Sequence, residues 1–345
     1  MDSLKTIREL LDKPKKVVVT THINPDADAL GSSLALTAYL KKKGHSVQVI
    51  TPSDYPGFLN WMAGQEETIT YSNYTARNAN AIIEEADLIF CLDFSSLERI
   101  NELGTIISMS SAKKILIDHH LQPEQFADVT IWDIHAASTA ELVYEFIVNQ
   151  GDKGKIDSDI ANNLYAGIMT DTGNFRHSST TRKVFQICAE LVGLGADTAM
   201  VSRNIYDNNS IDRIRLLGFT LNERLRFLPE YHTAYIFLKQ QDLIDFKART
   251  GDTEGFVNYA LSLKGVKFAA LFSDKGDIVK ISFRSVGDFS VNDFAREHFE
   301  GGGHKNAAGG RSNLSLEETI TKFEKLLGNY THQLTTKTIT HGQNV

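Results

Sequence analysis

The residues able to do chemistry in this chain are carboxylates and imidazoles in short, separated groups: His22-x3-Asp26-x-Asp28, Asp93, Asp118-His119-His120 and Asp171. Brought into one place, so many ionisable side chains could hold their charge states only with cations among them. The carboxylate-rich, thiol-free mix favours Mn²⁺, with Mg²⁺ or Co²⁺ as substitutes, over a structural zinc. Two such ions sharing a water and gripping phosphoryl oxygens are the arrangement for in-line attack on phosphorus. Taken alone, Asp118-His119-His120 is more often a hydrogen-bonded turn than a metal site. Other strand-like runs ending in acidic or His residues are what single it out.

The elements that must position these groups alternate between strand and helix. Residues 113–117 form an apolar run, read as a buried strand of a parallel sheet ending at Asp118. Residues 15–21, 45–51, 86–94 and 127–132 read as further strands, with a short one at 67–71 and helices over 29–43 and from 96 to 103. Ser138-Thr139-Ala140-Glu141 is a capping box opening a helix to residue 148, which makes Glu141 a cap residue and not a catalyst. Such a rhythm is a doubly wound sheet, whose ligands lie outside the carboxyl ends of its strands. Each acidic group is therefore expected at a strand end or in a loop beside one. Beyond, residues 157–169, 180–194, 197–206 and 211–226 read as helices, and Pro229 breaks the pattern. Strands follow at 233–239, 266–273 and 277–284, with 274–277 as a hairpin turn, then a helix over 316–327 and a frayed polar tail beyond Gln333. The fold class expected is α/β: a doubly wound, mainly parallel sheet over 1–195, a helical linker over 196–229, and a second, smaller α/β domain over 230–345 across a cleft.

Composition narrows the function classes. At 345 residues the chain exceeds one usual hydrophobic core. A net charge of −7 argues against a binder of long duplexes, which needs many Lys and Arg contacts to phosphates, yet leaves room for a small anionic substrate. No apolar run approaches the ~20 residues of a membrane span, and the first residues lack a signal-peptide pattern, so no membrane association and a cytoplasmic location are expected. Cys91 and Cys188 make no metal-type spacing and read as small core residues. His45, His135, His232, His298, His332 and His341 have no partner pattern and read as structural or solvated. Arg99 is a candidate phosphate contact, and Arg176 and His177 follow Asp171 closely enough to touch substrate or to lie on the surface. Trp61 and Tyr55, in a Pro/Gly loop, are candidates to stack a base, although burial is the commoner fate of Trp.

With Gly301-Gly302-Gly303-His304-Lys305-Asn306-Ala307-Ala308-Gly309-Gly310, the acidic motifs resemble, in order, those of the DHH phosphoesterase family with a DHHA1 C-terminal domain. Within it the chain is most similar to the nanoRNase/pAp phosphatase group, over roughly residues 15 to 330. The resemblance implies a two-metal hydrolase of short single-stranded RNA and of adenosine 3′,5′-bisphosphate (pAp). It implies that His22 and Asp26 hold one metal, that Asp28, His119 and Asp171 hold the other, and that Asp93 bridges them. His120 would contact the scissile phosphate or assist the leaving group, with Asp118 orienting its neighbours. Substrate contacts would fall on Arg284 and Ser285, and on Gly302, Gly303 and His304 of the glycine loop, where Glu300 replaces an extra glycine found in many relatives. The glycines alone would need only a tight turn. Rival readings are a phosphodiesterase of cyclic or linear dinucleotides such as c-di-AMP and pApA, and a catalytically dead nucleotide binder. The second is countered by the presence of all six metal ligands. The glycine loop counts against a pyrophosphatase, and the charge against a processive exonuclease. The reading leaves room for a homodimer.

Overall fold

The computed structural model describes residues 3–336. Contacts divide the chain into two compact units, Met1–Asn208 and Asn209–Val345.

In the first unit α1 (Ser3–Leu10) precedes β1 (Lys16–Thr20), α2 (Ala27–Lys42), β2 (Ser46–Thr51), β3 (Ile69–Thr70), α3 (Ala76–Glu84) and β4 (Leu88–Leu92). Then come α4 (Glu102–Met109), β5 (Lys113–Asp118), β6 (Val129–Trp132), α5 (Thr139–Asn149), α6 (Ser158–Asp171), α7 (Arg182–Gly193) and α8 (Thr198–Tyr206). The strands form one wholly parallel sheet in the order β3-β2-β1-β4-β5-β6. Strand order reverses between β1 and β4, so the connections leave those two neighbours toward opposite edges and open a crevice at their carboxyl ends. Every side chain of β4 is buried, because helices cover both faces: α2, α5 and α6 against one, α3 and α4 against the other. The helices start where polar caps satisfy their first N–H groups, at Asp26 for α2, Ser138 for α5, Asp157 for α6 and Thr181 for α7. Among the described residues no single helix is long and apolar enough to cross a membrane. The consecutive pair α7 and α8 passes that test jointly, but it bends by 110° and buries Val184, Ile187, Leu191 and Val201 in the core.

The second unit runs α9 (Ile211–Phe219), β7 (Leu225–Leu228), β8 (Thr233–Leu238), α10 (Gln240–Asp245), α11 (Phe256–Leu261), β9 (Phe268–Asp274) and β10 (Val279–Ser285). It closes with α12 (Val291–His298), β11 (Gly302–His304), β12 (Ala307–Ser312) and α13 (Leu316–Thr335). Its sheet, in the order β11-β12-β10-β9-β8-β7, is antiparallel except between β8 and β9. A phenylalanine-rich core under α12 and α13 covers one face, and Leu216, Phe256 and Val257 of α9 and α11 cover the other.

Four sequence expectations change. The segment 196–229 is not a separate linker, because α8 packs through Val201 on the first core whereas α9 and β7 pack through Leu216 and Leu225 on the second. The helix expected over 211–226 stops at Phe219, passes through one π-helical turn and becomes β7; its apolar spacing serves a helix and a strand in succession. The glycine run, expected as a loop, is strand β11 paired with β12. Leu334 and Thr335, expected to fray, complete α13, while His341 and the rest of the tail lie outside the described residues.

Candidate active site and metal centre

His22 follows β1, and its Nδ1 lies 2.8 Å from the carbonyl oxygen of Ile23. His119 follows β5, with Nδ1 3.2 Å from the carbonyl of Ala136. A carbonyl beside Nδ1 selects that nitrogen to carry the proton and turns Nε2, the nitrogen that can ligate a metal, toward the carboxylates. His22 Nε2 is 3.4 Å from Asp93 Oδ2 and 4.0 Å from Asp26 Oδ2. His119 Nε2 is 3.3 Å from Asp93 Oδ1, 3.2 Å from Asp171 Oδ2 and 3.8 Å from Asp28 Oδ2. The two oxygens of Asp93 therefore face two different groups, His22 with Asp26 and His119 with Asp28 and Asp171. In each of the sets His22–Asp26–Asp93 and Asp28–His119–Asp171 the donor atoms lie within 4.8 Å of one another.

The scaffold fixes each carboxylate. Asp26 caps α2, its Oδ1 accepting the N–H groups of Asp28 and Ala29 at 3.0 Å each, which leaves Oδ2 for His22. Asp28 is fully buried and accepts from the amides of Thr139 at 2.7 Å and Ala140 at 2.9 Å, in the first turn of α5. Asp93 accepts the Thr139 hydroxyl at 2.8 Å and stands at φ +65°, a strained backbone for a non-glycine residue. Asp171 is the last residue of α6 and not a strand end, which corrects the expectation for this ligand; the packing of α6 on α2 delivers it. That packing needs Gly167, where a Cβ would stand 2.6 Å from Asp28 Oδ1 and 2.7 Å from the Ala140 Cβ.

Charge in this cluster is unbalanced without a cation. Burial, reinforced by Asp93 and Asp171, holds the Asp28 carboxyl well above the usual carboxylate range. Burial pushes Asp93 the same way, but hydrogen bonds from His119 and His22 outweigh it and hold the group well below that range. For His119 burial favours the neutral ring, yet Asp171 and Asp93 raise its pKa well above the ordinary imidazole value. The carboxylates thus favour positive charge at His119 Nε2, the nitrogen that faces them. The donor set fits divalent cations: His22, Asp26 and Asp93 for one and Asp28, His119 and Asp171 for the other, with Asp93 Oδ1 3.3 Å from His119 Nε2.

Beside these groups Asp118 Oδ1 lies 2.8 Å from His120 Nδ1, which is also 3.6 Å from Asp93 Oδ1. Asp118 is fully buried, and its Oδ2 has no hydrogen-bond partner among the described residues. In the second unit Arg284 of β10 pairs with Ala307 of β12, which pairs with His304 of β11. Directly opposed residues share a face, so Arg284 and His304 flank the small Ala307 on one side of the sheet. Gly303 donates its N–H to the buried Asn292 Oδ1 at 2.9 Å, and a Cβ there would stand 2.5 Å from the Ala307 carbonyl. Ser285, expected beside Arg284, falls on the opposite face by strand alternation; its hydroxyl bonds the Phe289 carbonyl at 2.7 Å and Asn306 at 2.8 Å.

Residues 16–168 match the model of the DHH family N-terminal domain, and 230–332 match that of the DHHA1 domain. The chain belongs to the DHH family. Asp118-His119-His120 is the triplet that names it. A Bacteroides fragilis structure described as an exopolyphosphatase-related protein is 38% identical with a TM-score of 0.92, the match covering 97% of this chain and 98% of that one. The bifunctional oligoribonuclease and PAP phosphatase NrnA of Bacillus subtilis is 27% identical over 85% of this chain and 88% of its own. Its Thermus thermophilus namesake is 28% identical over 97% and 95%.

Other candidate residues of this DHH protein have plainer places. Trp61 and Tyr55 pack against the first core, and the Tyr55 hydroxyl donates to Gln65 at 3.1 Å. Burial of Cys91 and Cys188 pushes both thiols up to about 12, which leaves them inert core residues. His45 is buried, His232 and His298 make local bonds to the Gly265 carbonyl and the Tyr330 hydroxyl, and His135 and His332 are exposed. Arg176 and His177 bond back to the carbonyls of Gly173 and Asp171. Arg99 accepts the Ile23 N–H at 3.0 Å on its carbonyl, and its charge opposes protonation of His22, so it stands beside the first group. Sequence reasoning missed Thr139, which serves Asp28 with its amide and Asp93 with its hydroxyl; the only signal was its place just after the cap Ser138.

Proposed function

We propose that this chain is a divalent-metal phosphoesterase that hydrolyses short oligoribonucleotides to mononucleotides and pAp to AMP and phosphate. The observation that carries the reading is Asp93, whose two oxygens lie 3.4 Å from His22 and 3.3 Å from His119. One carboxylate between two donor sets is the arrangement of a paired-metal centre. Full-length similarity to proteins named for these two substrates supplies the substrate class. His22, Asp26 and Asp93 would hold one ion, and Asp28, His119, Asp171 and Asp93 the other. Such ions supply Lewis acidity for attack of water on phosphorus. His120, held through Nδ1 by Asp118, donates a proton to the oxygen that leaves phosphorus. Arg99 adds a positive charge for a phosphate oxygen near His22. In the second unit Arg284 and His304, with Ala307 leaving room between them, bind a further phosphate, and the amides around Gly302 and Gly303 add donors to it. Mn²⁺ is the proposed ion and the cytoplasm the proposed location.

The test is hydrolysis by chelated protein, before and after return of Mn²⁺, Mg²⁺ or Co²⁺, on pAp, pApA, c-di-AMP and a graded series of oligoribonucleotides. Activity should vanish on chelation and return with metal, with pAp and the shortest oligomers turned over fastest. Arg284→Ala should raise KM for pAp by about 1–3 kcal/mol of lost charge-assisted bonding, at unchanged metal content. Full activity in chelator, or a preference for c-di-AMP, would overturn the reading.

A further inference from the structure

Trp132 is the last residue of the edge strand β6, and its side chain is 43% exposed. Val129 and Ile131 of the same strand point into the core under α2 and α5, so alternation sends Trp132 to the other face. On that face it is the register partner of Asp118, the residue that orients His120. The indole N–H donates to the His120 carbonyl at 2.7 Å, which pins the ring beside the Asp118–His120 pair. The one polar atom of the indole is thereby satisfied, so whatever part of the side chain stays exposed is apolar. Ile134, in the turn after β6, is likewise 43% exposed.

A flat apolar face held rigidly beside the group that handles a phosphate suits one ligand chemistry, the unpaired nucleobase one ribose away from that phosphate. Stacking on a preset ring costs little ordering, and it tolerates any base because every base has a π face. We propose that Trp132 is a nucleobase-stacking platform, a substrate contact that makes the enzyme prefer phosphoesters bearing a base over equally charged ones without. The inference rests on the nucleotide-hydrolase reading above and adds to it a subsite in the first unit.

The chain has two tryptophans, so Trp61→Phe leaves Trp132 as the sole indole reporter. In that variant with Mn²⁺ present, AMP should quench the emission strongly, whereas ribose 5-phosphate, of the same charge but without a base, should not. Equal quenching by both, or none by either, overturns the platform. The kinetic arm compares a dinucleotide with its tetrahydrofuran abasic analogue in wild type, Trp132→Phe and Trp132→Leu. Trp132→Phe keeps a flat face and loses the N–H bond; Trp132→Leu keeps apolar bulk and loses the face. Trp132→Leu should raise KM for the base-bearing substrate roughly tenfold or more and leave the abasic one within about twofold, with Trp132→Phe close to wild type on both. Equal losses on both substrates would make Trp132 a mere anchor of the His120 carbonyl and remove the proposal. Wild-type inactivity on every nucleotide, with AMP quenching retained, would instead sink the hydrolase reading and leave the platform standing.

Discussion

Asp93 answers to two demands at once. It must sit at φ +65° so that its carboxylate reaches between His22 and His119, and both oxygens must be available there. Asn tolerates the left-handed backbone better than other side chains, so Asp93→Asn should keep the fold while putting an amide nitrogen where one donor set needs an oxygen. Bound Mn²⁺ per chain should fall, and kcat should drop by two orders of magnitude or more against a small change in KM, measured by metal analysis and steady-state rates. Unchanged metal content would refute the bridging role. Legibility at this scale followed residue chemistry. Six candidate ligands stand out because they recur as separate acidic and His groups in the order of a family's motifs, whereas Thr139 and Trp132 look like an ordinary helix start and strand end. Only the fold reveals what their amide, hydroxyl and indole touch.

Elements decide how tightly those ligands are held. Helix α6 brings Asp171 to the cluster and lies so close to α2 and α5 that Gly167 has no room for a methyl group. Gly167→Ala should lower stability by about 1–3 kcal/mol through overpacking against Asp28 and Ala140. Because the clash falls on Asp28, affinity for Mn²⁺ should fall as well, read by calorimetric titration; a stable variant with wild-type affinity would show that the helices shift freely. This closeness was invisible beforehand, since a glycine inside a helical pattern gives no hint of what stands opposite. The same limit produced the misread of 211–226, where Leu217, Leu221 and Leu225 keep helical spacing across a change to strand. Glycine-rich β11 offered no side-chain alternation to read at all. The parallel strands were legible because burial on both faces leaves an unbroken apolar run.

For the whole molecule, the acidic cluster belongs entirely to the first compact unit, from His22 to Asp171. A ligand that binds only the folded state stabilises what it binds, by about 2.7 kcal/mol at a hundredfold excess over its dissociation constant. Differential scanning calorimetry with and without Mn²⁺ should therefore raise the transition that reports the first unit and leave that of the second within error. A common upward shift would mean that the two units unfold as one. Net charge, legible from composition, sets a second property at this scale: with −7 overall, the chain has no excess of cations to neutralise a long run of phosphates, which suits substrates of small size.

The sheets also differ systematically between edge and interior. The four outermost strands, β3, β6, β11 and β7, have 2, 4, 3 and 4 residues. Every interior strand has 5 to 7. An edge that short exposes too few unpaired amides and carbonyls to template a foreign strand, which guards against edge-to-edge aggregation. It also keeps Trp132 and His304, the last residues of β6 and β11, on strands that have a sheet neighbour on one side only. Protection against self-association and access for a ligand are thus met by the same economy of chain, and lengthening either edge to strengthen the sheet would set the two against each other.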